Sequence, residues 1–336
     1  MITLHDIFGQ DHAIETIVRA YQADRLPHGL IFAGLVGVGK ATAARGLATL
    51  FLCEKPKKTV PCGKCPSCTL LESGEHPDFR VIYRELIRYH DKSGTSKGTS
   101  LSIHVIRPEL VERAARTAMM GRGKVFVVEE AEYMQTPAQS ALLKTLEEPI
   151  GRTLIILLTD QPHALLATIR SRCQIVRFAA LDRKLVLREL EKRKIDRSDA
   201  AEAAQLAEGS LGIALKWIED GVVAASRDLL QQIDGLLAGR APADLADWFK
   251  KAADAYAEKQ LLRDKLASKD QATREGLSLY LKLAALRFRQ QLTQTTDPDA
   301  LERACAAIDA IVRAEQYLDS NVNVALTFQQ LATALS

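Results

Sequence analysis

The segment from Gly34 to Thr42 carries the most informative pattern in the chain, reading GLVGVGKAT directly after the apolar run Gly29–Ala33. An apolar strand that ends in G-x-x-x-x-G-K and opens into a helix is typical of a phosphate-binding loop. Its glycines let backbone N–H groups curl around an anion, and the helix N-terminus adds its dipole. A plain strand-to-helix connection is the alternative interpretation. The residues that would line a phosphate site are Gly34, Gly37, Gly39 and Lys40.

The residue after the loop lysine departs from the usual pattern. Ala41 stands where the motif has Ser or Thr, whose hydroxyl binds Mg²⁺. Thr42 comes one residue later, about 100° further round a helix, and we expect that it does not take over this role. The sequence therefore predicts a nucleotide site or the remnant of one, and it leaves the binding of ATP and Mg²⁺ open.

A second candidate segment is the apolar run Lys124–Val128, which is followed by Glu129 and Glu130. A strand that delivers two carboxylates to the carboxyl edge of a sheet resembles a Walker B element. There the first carboxylate orients Mg²⁺ and the second polarises the attacking water. Glu129 replaces the usual Asp, and its extra methylene perturbs a strict octahedral Mg²⁺ shell. Together, Glu129 and Ala41 weaken the case for ATP hydrolysis by this chain. A solvated acidic turn is the alternative.

Four of the six cysteines form a third cluster, and their spacing is typical of a metal site. Two C-x-x-C intervals follow one another, and a fourth cysteine precedes them at the end of the predicted helix after the phosphate loop. Four thiolates leave no open position on a tetrahedral Zn²⁺, so we expect a structural ion that fastens a loop. A redox dithiol is the alternative, which the extra cysteines disfavour. The predicted ligands are Cys53, Cys62, Cys65 and Cys68.

The fourth candidate segment is Thr168–Cys173, which reads TIRSRC and contains Arg170 and Arg172. A guanidinium stays charged and presents fixed donors, so it can reach the phosphates of another molecule in the manner of an arginine finger. A solvated surface arginine is the plainer reading of either residue.

Composition describes an ordinary globular chain of 336 residues, with 47% apolar and 26% charged residues. Its length indicates two or three domains. A net charge of +3 is too small to argue nucleic-acid binding by itself. No apolar run approaches the roughly 18 residues of a membrane span, and no signal pattern opens the sequence, so we expect a cytoplasmic protein with no membrane partner.

Up to Phe178, short apolar strands alternate with helices, which indicates an α/β core with a mainly parallel sheet covered on both faces. From Leu181 onward the apolar residues recur at helical spacing only, and Gly209–Gly212 divides that part into a shorter and a longer helical unit. The predicted strands are Gly29–Ala33, Phe79–Tyr83, Lys124–Val128, Thr153–Leu158 and Gln174–Phe178.

The stretch between the second and third predicted strands has two parts. Arg84–Ser102 is rich in Ser, Thr, Gly and Lys, so we expect a surface loop whose Lys92 and Lys97 could touch phosphate. A strand or turn is predicted at His104–Ile106, followed by a helix that begins at Pro108.

Four segments together resemble the bacterial clamp-loader AAA+ subunits of DNA polymerase III. They are His28–Gly34, the four cysteines, Ala138–Pro149 (AQSALLKTLEEP) and Thr168–Gln174 (TIRSRCQ). A weaker likeness to the last collar helix of that family covers the end of the chain around Asn321–Asn323. The resemblance implies an AAA+ core at 1–178 with an inserted Cys₄ module at 53–68, an all-α lid at 179–221 and an all-α collar at 222–336.

Three departures distinguish between the subunit types of this family. The ATP-hydrolysing tau/gamma type has Thr after the loop lysine, Asp-Glu at Walker B and Arg in the lid, whereas this chain has Ala41, Glu129 and Gly212. The delta-prime type, which acts as a stator, is therefore favoured. A tau/gamma-type motor, with Thr42 and Glu129 rescuing the Mg²⁺ site, and a zinc-containing scaffold are the alternatives.

The resemblance also implies partners and residue roles. Arg172 would complete the ATP site of a neighbouring subunit in trans, Thr159 falls at the sensor-1 position, and Glu130 is the second carboxylate of a degenerate Walker B element. The implied partners are the delta and tau/gamma subunits, the sliding clamp, and primer-template DNA held through its phosphates without sequence preference. ATPase activity of the chain itself would be weak or absent.

Overall fold

The computed structural model describes residues 2–90, 98–237, 245–263 and 268–319. The chain divides into two compact units: Met1–Ile195 with Ala207–Ala214, and Asp196–Leu206 with Leu215–Ser336. The predicted domain division at 178 and 221 is a finer one and stays a prediction. Lys92, Lys97 and Asn321–Asn323 lie outside the described residues.

The first unit contains an α/β core. Its strands are β1 (Gly29–Ala33), β2 (Phe79–Ile82), β3 (Lys124–Val128), β4 (Thr153–Thr159) and β5 (Gln174–Arg177). Its helices are α1 (Asp11–Gln22), α2 (Lys40–Leu52), α3 (Pro66–Ser73), α4 (Ile87–His90), α5 (Ile103–Ile106), α6 (Glu112–Ala114), α7 (Thr136–Glu147), α8 (Ala167–Arg170) and α9 (Arg183–Lys192).

The five strands form one parallel sheet in the order β2-β3-β4-β1-β5. Successive residues of β1 face opposite sides, because Leu30 and Phe32 belong to one apolar cluster and Ile31 and Ala33 to the other. The α/β class and all five predicted strands are confirmed, with ends that differ by at most one residue. Since the strands run parallel, their carboxyl ends meet at one edge, where the candidate site lies.

The prediction of a strand or turn at His104–Ile106 was wrong, whereas the helical structure predicted after it is present. Helix starts at Ile103, before Pro108, and continues through a π-helical turn at Arg107–Val111 into α6. The β-branched residues favour a strand locally, but Val105 and Ile106 are fully buried in the apolar cluster on one face of the sheet. The wider π turn accommodates Pro108, which lacks an N–H for the regular helical bond.

The second unit is helical throughout its described residues. The remaining helices of the chain are α10 (Arg197–Leu206), α11 (Leu211–Glu219), α12 (Val222–Leu237), α13 (Leu245–Arg263), α14 (Lys269–Gln294) and α15 (Pro298–Asp319). Leu277, Tyr280, Leu281 and Phe288 on α14 are buried in one apolar core, as their helical spacing predicts. Among the described residues, no helix has the length and apolar character needed to cross a bilayer.

Candidate nucleotide pocket, arginine segment and metal centre

The phosphate-loop sequence forms the connection from β1 to α2 at the carboxyl edge of the sheet. The Gly34 N–H donates to the Thr159 carbonyl at the end of β4 (3.0 Å), which ties the loop to its neighbouring strand. Gly39 is the residue before α2 and has no side chain to cap the helix. The N-terminus of α2 therefore opens at the loop, as an anion site requires.

Lys40 turns back into the loop. Its ammonium donates to the carbonyl oxygens of Gly34 and, at 2.7 Å, of Leu35. Burial lowers the pKa of Lys40, and the carboxyl groups of Asp160 and Glu132 oppose that shift. Ala41 is exposed and offers no hydroxyl. The cation that would reach outer phosphates is thus engaged with its own loop.

Residues 210–212 cover the outer side of the loop within the first unit. The Gly212 N–H donates to the Gly37 carbonyl (2.9 Å), and the Ser210 hydroxyl donates to the Val36 carbonyl (2.7 Å). A Cβ on Gly212 would lie 2.8 Å from the Gly37 Cα, so any larger residue would displace the loop. An arginine does not fit at position 212 in this arrangement.

The two predicted Walker B carboxylates face different surroundings. Glu129 follows β3, and burial together with the charges of Glu130 and Glu85 raises its pKa, while Arg45 opposes the shift. Glu130 has a left-handed backbone (φ +49°) and accepts from Arg84, Nε at 2.6 Å and Nη2 at 3.2 Å. The second carboxylate is therefore paired with a guanidinium.

The carboxyl group that forms a hydrogen bond with Thr159, at the predicted sensor position, belongs to Glu132, to which the sequence analysis assigned no role. Burial raises the pKa of Glu132, a hydrogen bond with Thr159 opposes the shift, and neighbouring Asp160 reinforces it. Thr159 is almost fully buried, and its hydroxyl also accepts from the Gln161 N–H (3.0 Å). The short 3-10 turn Ala131–Tyr133 brings position 132 to this place. The only indication of Glu132 in the sequence was that it is the third acidic residue of the segment Glu129–Glu132.

Arg172 lies just after α8, where it contacts the end of α7. Its Nε donates to Glu147 Oε1 (2.8 Å), and its Nη1 donates to the Thr168 carbonyl (3.1 Å) and to Ser171 Oγ (3.3 Å). The Arg172 side chain is 35% exposed and that of Glu147 is 48% exposed. The guanidinium is thus held in a defined position by an ion pair that solvent can reach.

The four clustered cysteines meet at one point, on the opposite edge of the core from the phosphate loop. Their sulfur atoms all lie within 4.8 Å of one another, and three of the four residues are buried. A tetrahedral Zn²⁺ with sulfur at about 2.3 Å places its ligands about 3.8 Å apart, so the cluster fits such an ion. These four residues could hold a metal.

Neighbouring backbone groups support thiolates at this cluster. N–H groups of Lys64 and Cys65 lower the pKa of Cys62 to about 6, whereas burial raises the pKa of Cys53 and of Cys68. The Cys62 N–H also donates to the Cys53 sulfur (3.2 Å). A cation bound by all four sulfurs would offset the burial of their charge.

Comparison with known proteins places these features in one family. Residues 9–182, just over half of the chain, match the family model described as DNA polymerase III, delta subunit. The chain belongs to this family. The matched range includes the phosphate loop, the Cys₄ cluster, Glu129 and Arg172. All four candidate sites therefore lie in the part of the chain that matches the family.

Individual relatives support the same assignment. DNA polymerase III subunit delta' of Escherichia coli is 34% identical over 221 residues, which cover 65% of this chain and 63% of that protein. Its Pseudomonas aeruginosa counterpart is 38% identical over 146 residues, 44% and 41% of the two chains. DNA polymerase III subunit tau of Escherichia coli is 28% identical over 321 residues, 93% and 47%. The matches thus span between about two fifths and just under two thirds of these relatives' lengths.

Proposed function

We propose that this family member is a delta-prime-type stator of a bacterial clamp loader, which helps to load the sliding clamp onto primed DNA. In this role it assembles with delta and tau/gamma subunits and supplies Arg172 to the ATP site of a neighbour. Its own ATPase activity is weak or absent. The contrast between an impaired pocket and an available arginine carries the proposal.

The case for an impaired pocket rests on three features of the loop. Lys40 donates to loop carbonyls, Ala41 has no hydroxyl for Mg²⁺, and Gly212 packs directly on Gly37 where a lid arginine would not fit. Ala41 and Gly212 each lack a group that stabilises a transferring phosphoryl group, and Lys40 is engaged with its own loop. Binding of ATP without turnover is compatible with all three.

The arginine side rests on the exposure of Arg172 and on the exposure of its ion pair with Glu147. An exposed ion pair contributes about 0.2–1 kcal/mol, so exchanging Glu147 for a phosphate of another subunit costs little. A finger arginine in trans typically contributes about 10³–10⁵-fold to hydrolysis. Thr159, Glu129 and Glu130 have no assigned catalytic step in this proposal, since their own pocket is impaired.

We further propose that the Cys₄ cluster holds Zn²⁺ in a structural role. Four protein sulfurs complete a tetrahedral shell, which leaves no position for a substrate or a water. The ion would fasten the segment between α2 and α3 to the core. Contacts with DNA would run through phosphates along the interior of the assembled ring, without sequence preference.

The decisive experiment measures ATP turnover by tau/gamma and delta subunits in the presence of clamp and primed DNA. Turnover is compared without this chain, with it, and with its Arg172→Ala variant. Arg170→Ala is the matched control, because it removes a neighbouring exposed arginine. We expect stimulation by the wild type and the control only. Equal stimulation by Arg172→Ala, with assembly intact, would rule out the finger.

A tau/gamma-type motor is the second candidate, favoured by the tau relative's match to 93% of this chain. It predicts ATP hydrolysis by the isolated protein and loss of that activity in Lys40→Ala. The stator proposal predicts negligible turnover alone, and loader activity that survives Lys40→Ala.

A further inference from the structure

The Cys₄ module, residues 53–68, displays a cluster of lysines that the proposed function does not use. Its surface carries four exposed lysines and a single acidic residue, Glu54, which is half-buried. In the part of the chain that the structure describes, none of the four has a carboxylate within ion-pair distance. The lysines are Lys55, Lys57, Lys58 and Lys64.

The Cys₄ cluster holds the backbone of two of these lysines in place. The Lys55 N–H lies in hydrogen-bond contact with Cys53, and the Lys64 N–H with Cys62. A bound metal would therefore fix the positions from which these two ammonium groups project. This distinguishes them from lysines on freely moving loops.

The other two lysines lie in a tight turn that is strained at its tip. Lys57 and Val60 exchange backbone hydrogen bonds of 2.8 and 3.0 Å, and Lys58 between them has a left-handed φ of +55°. Glycine adopts that conformation far more readily than lysine does. The turn is anchored by buried Thr59, whose hydroxyl lies 3.2 Å from His5 Nε2.

Two guanidinium groups next to the module add positive charge, and neither forms an ion pair with a carboxylate among the described residues. Arg122 Nη2 donates to the Cys53 carbonyl (3.0 Å), and Arg152 Nη1 donates to the Phe51 carbonyl (2.9 Å). Arg152 also lies over the Phe51 ring, 3.9 Å from its centroid. Backbone oxygens accept from these two groups but leave their full charge in place, so the basic surface continues onto the adjoining core.

We propose that the lysines of the Cys₄ module bind the phosphate backbone of duplex DNA, outside the ring interior. The choice of DNA rests in part on the proposed function. Protein interfaces are centred on buried aromatic and apolar anchors, whereas Val60 is the main exposed apolar side chain of the module. Single-strand sites stack bases on aromatic rings, and residues 53–68 contain none. A surface of lysines without aromatic neighbours suits the phosphates of a DNA backbone. Such contacts do not depend on the base sequence.

The test measures binding of the full chain, without partner subunits, to a short fluorescein-labelled duplex over a range of salt concentrations. One variant carries Lys→Gln at 55, 57, 58 and 64. The control carries Lys→Gln at four exposed lysines elsewhere, Lys184, Lys194, Lys250 and Lys259, and so has the same net charge. Each lost phosphate contact reduces the slope of log K against log salt by about 0.9. We expect the module variant to lose about 3 to 4 in slope and the control to lose none.

Lys58→Gly provides a second variant, in which the new residue suits the left-handed backbone and the fold is expected to persist. Relief of the left-handed lysine should raise the melting temperature, while loss of one contact lowers the salt slope by about 0.9. An unchanged slope in both module variants, an equal loss in the control, or tighter binding to a single strand of the same length would overturn the proposal. Because no partner subunit is present, these results are independent of whether Arg172 stimulates ATP turnover.

Discussion

At the scale of single residues, the immediate partners of an ionisable group decide which role it can take. Glu130 and Glu132 are two positions apart in the sequence, yet one pairs with Arg84 and the other lies with Thr159 and Asp160. Arg172 likewise takes its position from its contacts with Glu147, the Thr168 carbonyl and Ser171. Two tests follow at this scale, one for the proposed finger and one for a buried histidine.

We expect Glu147→Gln to free Arg172 and to favour its contact with a neighbouring subunit. Since the ion pair is solvent-exposed, the gain is at most about 1 kcal/mol, or about fivefold. It is measured as the concentration of this chain that gives half-maximal stimulation of ATP turnover by its partners. Glu148→Gln, also exposed, is the control. No change, or the same change in an Arg172→Ala background, would contradict the prediction.

His76 should make stability depend on pH. Its Nδ1 accepts from the Asp78 N–H (3.1 Å), so its Nε2–H donates to Ser67 Oγ (2.9 Å), and Ser67 donates to the Leu52 carbonyl (2.9 Å). Burial lowers the pKa of His76. The unfolded chain therefore binds the proton first, and stability present above about pH 6.5 is lost as pH falls below it.

The measurement is the free energy of unfolding against pH, at constant zinc, for the wild type and for His76→Gln. The difference between the two should shrink as the pH falls from about 7 to about 5. His12→Gln changes an exposed histidine and should follow the wild type. Parallel curves for wild type and His76→Gln would refute the assignment.

At the scale of elements, two connections are shaped by contacts that their own sequence does not contain. The segment between α2 and α3 is too rich in Pro, Lys and Gly to form a core, and its four cysteines bring it together. The phosphate loop is closed from outside by residues 210–212, where two glycines let backbones touch.

Cys65→Ser should lower the free energy of unfolding by about 3 kcal/mol or more, because the binding energy of a structural metal is folding energy. A chelator should destabilise the wild type to a similar extent and leave the variant unchanged. Chemical denaturation with metal analysis measures both effects. Cys305→Ser removes an exposed cysteine and serves as the control. Melting that is insensitive to chelator would exclude a structural metal.

Gly212→Ala should destabilise the protein by about 1–3 kcal/mol, because its Cβ overpacks the backbone of Gly37. Gly235→Ala in α12 is the matched control, since its Cβ meets no atom within 4 Å. That change should stabilise the helix by about 0.5–1 kcal/mol. Urea denaturation of both variants gives the sign of the change in the free energy of unfolding. No change for Gly212→Ala would mean that the contact with Gly37 is loose.

At the scale of the whole molecule, the chain has two compact units, each with its own apolar core. One holds the sheet, the phosphate loop and the Cys₄ cluster, and the other is helical in its described residues. Independent cores of this kind generally unfold separately.

We expect calorimetry of the full chain to show two transitions rather than one. A chelator should lower the melting temperature of only one of them, because all four cysteine ligands lie in the first unit. Introducing Cys65→Ser should move the same transition and abolish its response to chelator. A single transition that shifts as a whole would show that the two units unfold cooperatively.

The sequence by itself determined the features that depend on spacing along a short stretch of chain. The strand–loop–helix pattern at Gly29–Leu52, the Cys₄ cluster and the parallel sheet were predicted correctly, because backbone periodicity and ligand spacing are local properties. Tertiary structure decided the pairing of Glu130 with Arg84, the place of Glu132 and the packing of Gly212 on Gly37. It also made a helix of Ile103–Ile106, where burial outweighed local preference. Most of these contacts join residues far apart in the chain, and only packing brings them together.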